Sequence, residues 1–164
     1  MIKEEVKTNR ESVGDWPIRI VPLEEKHIPV LAVLEAESFS DPWSEQAYRD
    51  LLHHDYCHYL VAEDPKGYPV GFAGMTVSFD EADIDKVMVA GKARRRGIAD
   101  SLLKEVMGLG KELGVKNFTL EVRKGNLPAL ALYEKNGFVS EGIRPNFYSN
   151  PKEDAVILWK RGRD

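Results

Sequence analysis

The chain has 164 residues and a mass of 18.5 kDa, one ordinary domain in size, and its 43% hydrophobic and 30% charged residues are the balance of a soluble globular protein. A net charge of −4 argues against general nucleic-acid binding, and the apolar runs stop far short of the roughly 20 residues that span a bilayer. A single cysteine, Cys57, excludes an intrachain disulfide, and a charged N-terminus without an apolar h-region sets the expectation of a cytoplasmic protein.

Residues 1–16 are rich in charge and poor in apolar side chains, and read as a flexible extension to a single domain over 17–164. Ile18–Val21 reads as a strand. Ile28, Leu31, Leu34 and Phe39 then recur with helical spacing behind Pro29, which a first turn tolerates. Asp41-Pro42-Trp43-Ser44 breaks that helix and opens another, with Ser44 as N-cap and Trp43 placed to staple onto Tyr48; the competing reading of Trp43 is a wall of a substrate groove. His53, His54 and His58 read as surface residues at a helix end, and no metal is expected.

Cys57–Glu63 and Tyr68–Val77 are rich in β-formers and are joined by the turn Asp64-Pro65-Lys66-Gly67, so they form a hairpin. After the break at Ser78–Glu81, Ala82–Val89 completes a three-strand antiparallel meander. Cys57 on its first strand has no base beside it and reads as structural. Arg94-Arg95-Arg96-Gly97-Ile98-Ala99 follows that meander as a basic turn opening into a helix. It is either a solvated loop or a phosphate cradle; the strand-turn-helix setting, with unpaired amides and the positive end of the helix dipole, favours the cradle.

Ile98, Leu102, Val106, Leu109 and Leu113 form one stripe, with Gly114 as the stop and Gly108 and Gly110 weakening the second half. Phe118, Leu120 and Val122 alternate with Thr119, Glu121 and Arg123, so Glu121 points away from its apolar neighbours. Asn126 can cap a helix from Leu127 to Asn136 with Gly137 as its stop. A strand at Phe138–Ile143, an irregular segment through Pro145, Asn146, Tyr148, Asn150 and Pro151, and a last strand at Asp154–Lys160 close the chain. The order predicts an α/β fold: a mixed, mostly antiparallel sheet flanked by helices, with a right-handed parallel βαβ unit from Ile84 to Val122 and ligands at the carboxyl ends of its strands.

Arg94 to Ala99 also fits the phosphate-loop pattern of the GNAT superfamily of N-acetyltransferases: Arg or Gln, two residues, Gly, one residue, Gly or Ala. The order of elements around it resembles that superfamily. Within it the chain is most similar to the ribosomal-protein-alanine N-acetyltransferases of the RimI type, through Asp41-Pro42-Trp43-Ser44-Glu45, Leu120-Glu121-Val122-Arg123 with Asn126, Leu132-Tyr133-Glu134, Gly137-Phe138 and Glu153-Asp154-Ala155. The resemblance implies acetyl-CoA as co-substrate and a protein N-terminus, such as that of a ribosomal protein, as acceptor; a monomer or weak dimer is expected, without metal, direct nucleic-acid contact or membrane. It implies that Val87, Met88 and Val89 offer main-chain groups to the pantetheine and thioester, and that Arg94, Arg95, Arg96, Gly97, Ile98 and Ala99 hold the pyrophosphate. Asn126 and Tyr133 would touch the cofactor, with Glu121 as general base and Tyr133 as general acid. A bulge near Met88 or Val89 would free an amide for the oxyanion. Two departures stand out: Lys86 replaces an uncharged polar residue, and Phe147-Tyr148 replaces what is often a pair of tyrosines.

The chemistry is consistent with those roles. An α-amine of pKa about 8 is roughly one tenth neutral at pH 7, whereas a lysine near 10.4 is neutral in about one molecule in 2,500. An N-terminal acceptor therefore asks less of Glu121. From the residues alone, Glu121 could be an ion-paired surface glutamate and Tyr133 a packing aromatic. Acetylation of a lysine or small amine, and a non-catalytic CoA-binding module, are the competing functions.

Overall fold

The computed structural model describes residues 11–13 and 16–162. Strands β1 (Glu11–Val13) and β2 (Trp16–Pro22) pair antiparallel, and a 3-10 turn at Glu25–His27 leads into helix α1 (Ile28–Ser38) and then α2 (Glu45–Leu51). The meander is β3 (Cys57–Glu63), β4 (Pro69–Ser78) and β5 (Glu81–Val89). After it come α3 (Ile98–Glu112), β6 (Asn117–Arg123), α4 (Leu127–Lys135), β7 (Val139–Tyr148) and β8 (Glu153–Lys160). The strand order is β1-β2-β3-β4-β5-β6-β8-β7, with β5 and β6 the parallel pair predicted from the crossover and every other neighbour antiparallel.

Alternation along the strands sends apolar side chains to two cores. Ile20, Leu60, Ala73, Met75, Ile84 and Leu120 meet α3 and α4, whereas Val21, Tyr59, Val61, Phe72 and Met88 meet α1 and α2. Local chemistry sets the helix ends. Ser44 Oγ accepts from the Ala47 amide at 3.1 Å, and Trp43 stacks edge-on to Tyr48 at 5.6 Å, the expected cap and staple. Asn126 Oδ1 accepts from Ala129 N at 3.2 Å, and Gly114 and Gly137 both take left-handed backbone after their helices. Gly110 has a reason that the sequence hid: a Cβ there would lie 2.7 Å from the Phe118 ring, so its absence lets α3 settle onto β6. Its helix-propensity cost of about 1 kcal/mol is offset by that approach.

Two expectations change. Within the segment read as a flexible extension, Glu11–Val13 is a short strand on β2; residues 1–10 and 14–15 lie outside the described residues. The strand expected at Phe138–Ile143 runs on to Tyr148, because a register shift between Arg144 and Tyr148 absorbs Pro145 and Asn146, and Asp154 Oδ1 accepts from the Asn146 amide at 2.9 Å.

Candidate active site

The parallel pairing of β5 with β6 lasts three residues, Glu81 to Asp83 against Asn117 to Thr119, and then the strands part. Ile84–Val89 and Leu120–Arg123 therefore face each other across a wedge with main-chain groups that neither strand satisfies. Which groups these are follows from the β4 register. Ala90 N donates to Val70 O at 2.8 Å, and Phe72 and Gly71 stand opposite Met88 and Val89, so alternation turns the Met88 amide towards β4 and the Val87 and Val89 amides towards the wedge.

The expected bulge is present but displaced. The register slips between Gly74–Lys86 and Met75–Ile84, which makes Asp85 the extra residue rather than Met88 or Val89. The wedge amides are freed by the splay. The bulge has another effect: it turns Lys86 off the α3 face, where alternation from Ala82 and Ile84 would have put it, and onto the face of α1 and α2.

At the wide end of the wedge, Gly91–Ala93 forms a 3-10 turn and Arg94–Gly97 wraps into α3. Arg95 at φ 64° and Gly97 at φ 73° both take left-handed backbone, the kind of turn that gathers successive amides into an anion-binding nest. No side chain caps α3 at Gly97, which leaves first-turn amides open to a ligand at the positive end of a 15-residue helix. Arg94 and Arg95 are exposed and Arg96 half-buried; Arg94 Nε also reaches back to Val89 O at 3.3 Å, tying the turn to the strand. Ile98 is buried in the core as the anchor of the helix, and Ala99 is half-buried behind it.

On the other side of the wedge, β6 alternates as predicted, and Glu121 lies on the α1/α2 face. Its Oε2 is 3.0 Å from Arg144 Nε, within ion-pair reach, yet the atom is shielded from solvent and has no aligned hydrogen bond. A shielded carboxylate oxygen without a donor is one poised to accept a proton or a donor from a ligand. Tyr148 lies close enough to Glu121 to feel its charge: burial, then Glu121, push the phenol up, with Arg123 opposing. Tyr133, 7% exposed at the end of α4, packs edge-on against Phe138 at 5.7 Å, and burial followed by the neighbouring Tyr148 pushes its phenol up to about 12. Glu121 thus acts electrostatically on Tyr148, and Tyr148 on Tyr133. Asn126 is exposed at the start of α4, its carbonyl oxygen committed to the cap.

The match that decides the family covers residues 28–138, most of the chain, and is to the model described as Acetyltransferase (GNAT) family. The chain belongs to the GNAT acetyltransferase family. A Bacillus subtilis (strain 168) relative, named as a candidate [ribosomal protein bS18]-alanine N-acetyltransferase, is 37% identical over 127 residues, 77% of this chain and 83% of the relative. The Escherichia coli (strain K12) [ribosomal protein bS18]-alanine N-acetyltransferase is 31% identical over 141 residues, 85% and 94% of the two chains. The crystal structure of the ribosomal-protein-S18-alanine N-acetyltransferase from Escherichia coli superposes with a TM-score of 0.81 at 29% identity, covering 90% of this chain and 96% of that one. The protein is thus an N-acetyltransferase of the GNAT fold, a family that uses acetyl-CoA.

Several residues of this GNAT site had no prediction attached. Arg123 spans the end of β6: its guanidinium donates to Pro151 O at 2.8 Å and Ser149 O at 2.9 Å and covers the Tyr148 ring at 4.5 Å. Arg144 covers Phe147 at 5.3 Å. Glu35, wholly buried on α1, accepts from Tyr48 Oη at 2.5 Å and pairs with Lys86. Its position was signalled, since it falls seven residues after Ile28 and four after Leu31 on the inner stripe of α1. The packing reading of Trp43 holds: it lies against Tyr48, Tyr59 and Phe72, and its half-buried ring carries the Lys86 ammonium. Cys57 is half-buried with Sγ 3.8 Å from Thr76 Oγ1, and burial pushes its thiol up, which makes it a poor nucleophile. Among the described residues, no group of three or more His, Cys, Asp or Glu side chains could hold a metal. No helix among them is long and apolar enough to cross a membrane.

Proposed function

We propose that this protein transfers the acetyl group of acetyl-CoA to the N-terminal α-amine of a protein, with a ribosomal protein beginning with alanine as the acceptor suggested by its relatives. The observation that carries this reading is the wedge between β5 and β6, with the Arg94–Ala99 turn at one end and Glu121 on the strand along its side. The turn would take the pyrophosphate, with Arg94, Arg95 and Arg96 adding charge to the amides from Gly97 onward. Val87 and Val89 would offer main-chain bonds to the extended pantetheine in place of a neighbouring strand, with the Met88 side chain packed beneath, and Asn126 would flank the arm from α4.

In the reaction the α-amine attacks the thioester carbonyl, the C–N bond forms and the C–S bond breaks. Glu121 accepts the proton from the amine, directly or through one water, and Tyr133 donates its proton to the departing sulfur. The developing oxyanion meets a wedge amide, Val89 being the nearer to the loop. Arg144, reaching over β8 from β7, holds the Glu121 carboxylate on the α1/α2 face.

Incubation with acetyl-CoA and a panel of peptides, free amino acids and polyamines, read by mass spectrometry, is expected to label the α-amine of an alanine-starting peptide. Label confined to ε-amines or small amines would refute the N-terminal reading. The cradle has its own measurement. Each charge-assisted bond contributes about 1.5–3 kcal/mol, so Arg94→Ala combined with Arg96→Ala should raise the Kd for acetyl-CoA at least about tenfold, with kcat at saturating cofactor changed little. Unaltered affinity would remove the arginines from the cofactor site.

A further inference from the structure

Both strands that flank the wedge turn ionisable side chains onto the α1/α2 face, Glu121 and Arg123 from β6 and Asp85 and Lys86 from β5. An amine delivered to Glu121 on that face would come to the wedge that Lys86 flanks from the other strand. Lys86 is held firmly. Its ammonium pairs with Glu35 and lies over two rings, 3.8 Å from the Trp43 centroid and 4.4 Å from that of Phe39. Tyr48, bonded to the other Glu35 oxygen, fixes the carboxylate from behind.

The pair is electrically lopsided. The Glu35 side chain is 0% exposed and that of Lys86 10%, so the end of the pair that a ligand in the groove would approach is the cation. The facing wall carries the Glu121–Arg144 pair, and there too the cation is the more exposed partner, 55% against 30%. The carboxylate nearest in sequence, Asp85, does not cancel this: its Oδ2 accepts from Tyr59 and from Thr76, on β3 and β4, which lie on the side of β5 away from the wedge.

We infer that Lys86 is a charge filter for the first side chain of the acceptor, admitting acidic or neutral residues and rejecting lysine and arginine. The inference rests on the N-terminal reading above. An aspartate or glutamate would extend towards an ammonium whose own partner is out of reach. A lysine or arginine would bring a second cation into a partly dry pocket already holding one, where like charges repel far more strongly than in water. Glu35, Tyr48, Trp43 and Phe39 prevent Lys86 from swinging aside to relieve the repulsion.

The test uses three peptides identical beyond residue one, starting with alanine, glutamate or lysine, with α-labelling located by mass spectrometry so that ε-acetylation is counted apart. The wild-type protein is expected to accept the glutamate peptide at least tenfold better than the lysine peptide in kcat/KM. In a Lys86→Met, Glu35→Gln double variant, which removes the cation without stranding a buried carboxylate, the ratio should fall below about threefold, whereas Lys86→Arg should keep it. Equal use of the two peptides by the wild-type protein overturns the filter whatever the variants do, and so does a ratio undiminished in a double variant that still binds acetyl-CoA. Failure of the wild-type protein to label even the alanine peptide overturns the N-terminal reading and this one with it; labelling of alanine without charge preference overturns only the filter.

Discussion

Tyr133→Phe is expected to lower kcat by about 10²–10⁴-fold, the usual range for a lost general acid, while acetyl-CoA affinity and thermal stability change little. The ring is buried against Phe138 and contributes packing that phenylalanine keeps, so loss of turnover without loss of binding would single out the hydroxyl. Burial sharpens the case. A phenol pushed up to about 12 is a weaker acid than a free one, and giving its proton to an ordinary thiolate near 8.5 is uphill by about 5 kcal/mol. The same dry surroundings raise the proton affinity of a thiolate leaving beside it, which narrows the gap at the moment of transfer. A further outcome follows from the direction of the shift. Tyr133 remains protonated through the alkaline range in which peptides are assayed, so its ionisation should produce no fall in kcat between pH 8 and 10. An unchanged rate in the phenylalanine variant would assign the proton to another donor, with Tyr148 the first to examine.

Glu121→Gln should cost about 10²-fold at pH 7, and distinctly less at pH 9. Glutamine keeps the size of the side chain and can still reach Arg144, but cannot take a proton. At pH 7 about nine tenths of an α-amine is protonated and the base has work to do; at pH 9 bulk water has already removed most of those protons. The deficit should therefore shrink as pH rises through about 8. A loss constant across that range would mean that Glu121 positions the acceptor rather than deprotonating it, and an unchanged rate would leave it as the partner of Arg144 alone. Stability should be nearly unaffected, because Arg144 is largely exposed and water can replace its lost partner.

The sequence was most legible where one period or one cap decides the structure. Ser44, Asn126, Gly114 and Gly137 ended or began helices as their chemistry requires, and the alternation from Phe118 to Arg123 gave the facing of Glu121 without any tertiary knowledge. Legibility failed where two elements had to be known together. The extra residue at Asp85 breaks strand parity through pairing with β4, so the facing of Lys86 could not be read from β5 alone. Pro145 and Asn146 looked like an end to a strand, but β8 carries β7 past them as a bulge. Arg144 became part of the site only because β7 and β6 lie on either side of β8, a neighbourhood that no local pattern records.

The three-residue pairing of β5 with β6 also makes the sheet two panels with a narrow weld. One panel, β1 to β5, carries the Arg94–Ala99 turn at its edge and Lys86; the other, β6, β8 and β7, carries Glu121, Arg144 and Tyr148. The residues proposed to meet the acceptor are thus divided between bodies that share little backbone bonding at the place where they would have to agree. A cofactor arm lying in the opening would act as the missing strand, bonded along β5 and packed along β6, and would set the width that the acceptor then encounters. On the proposed reading, the first substrate would complete the architecture to which the second one binds.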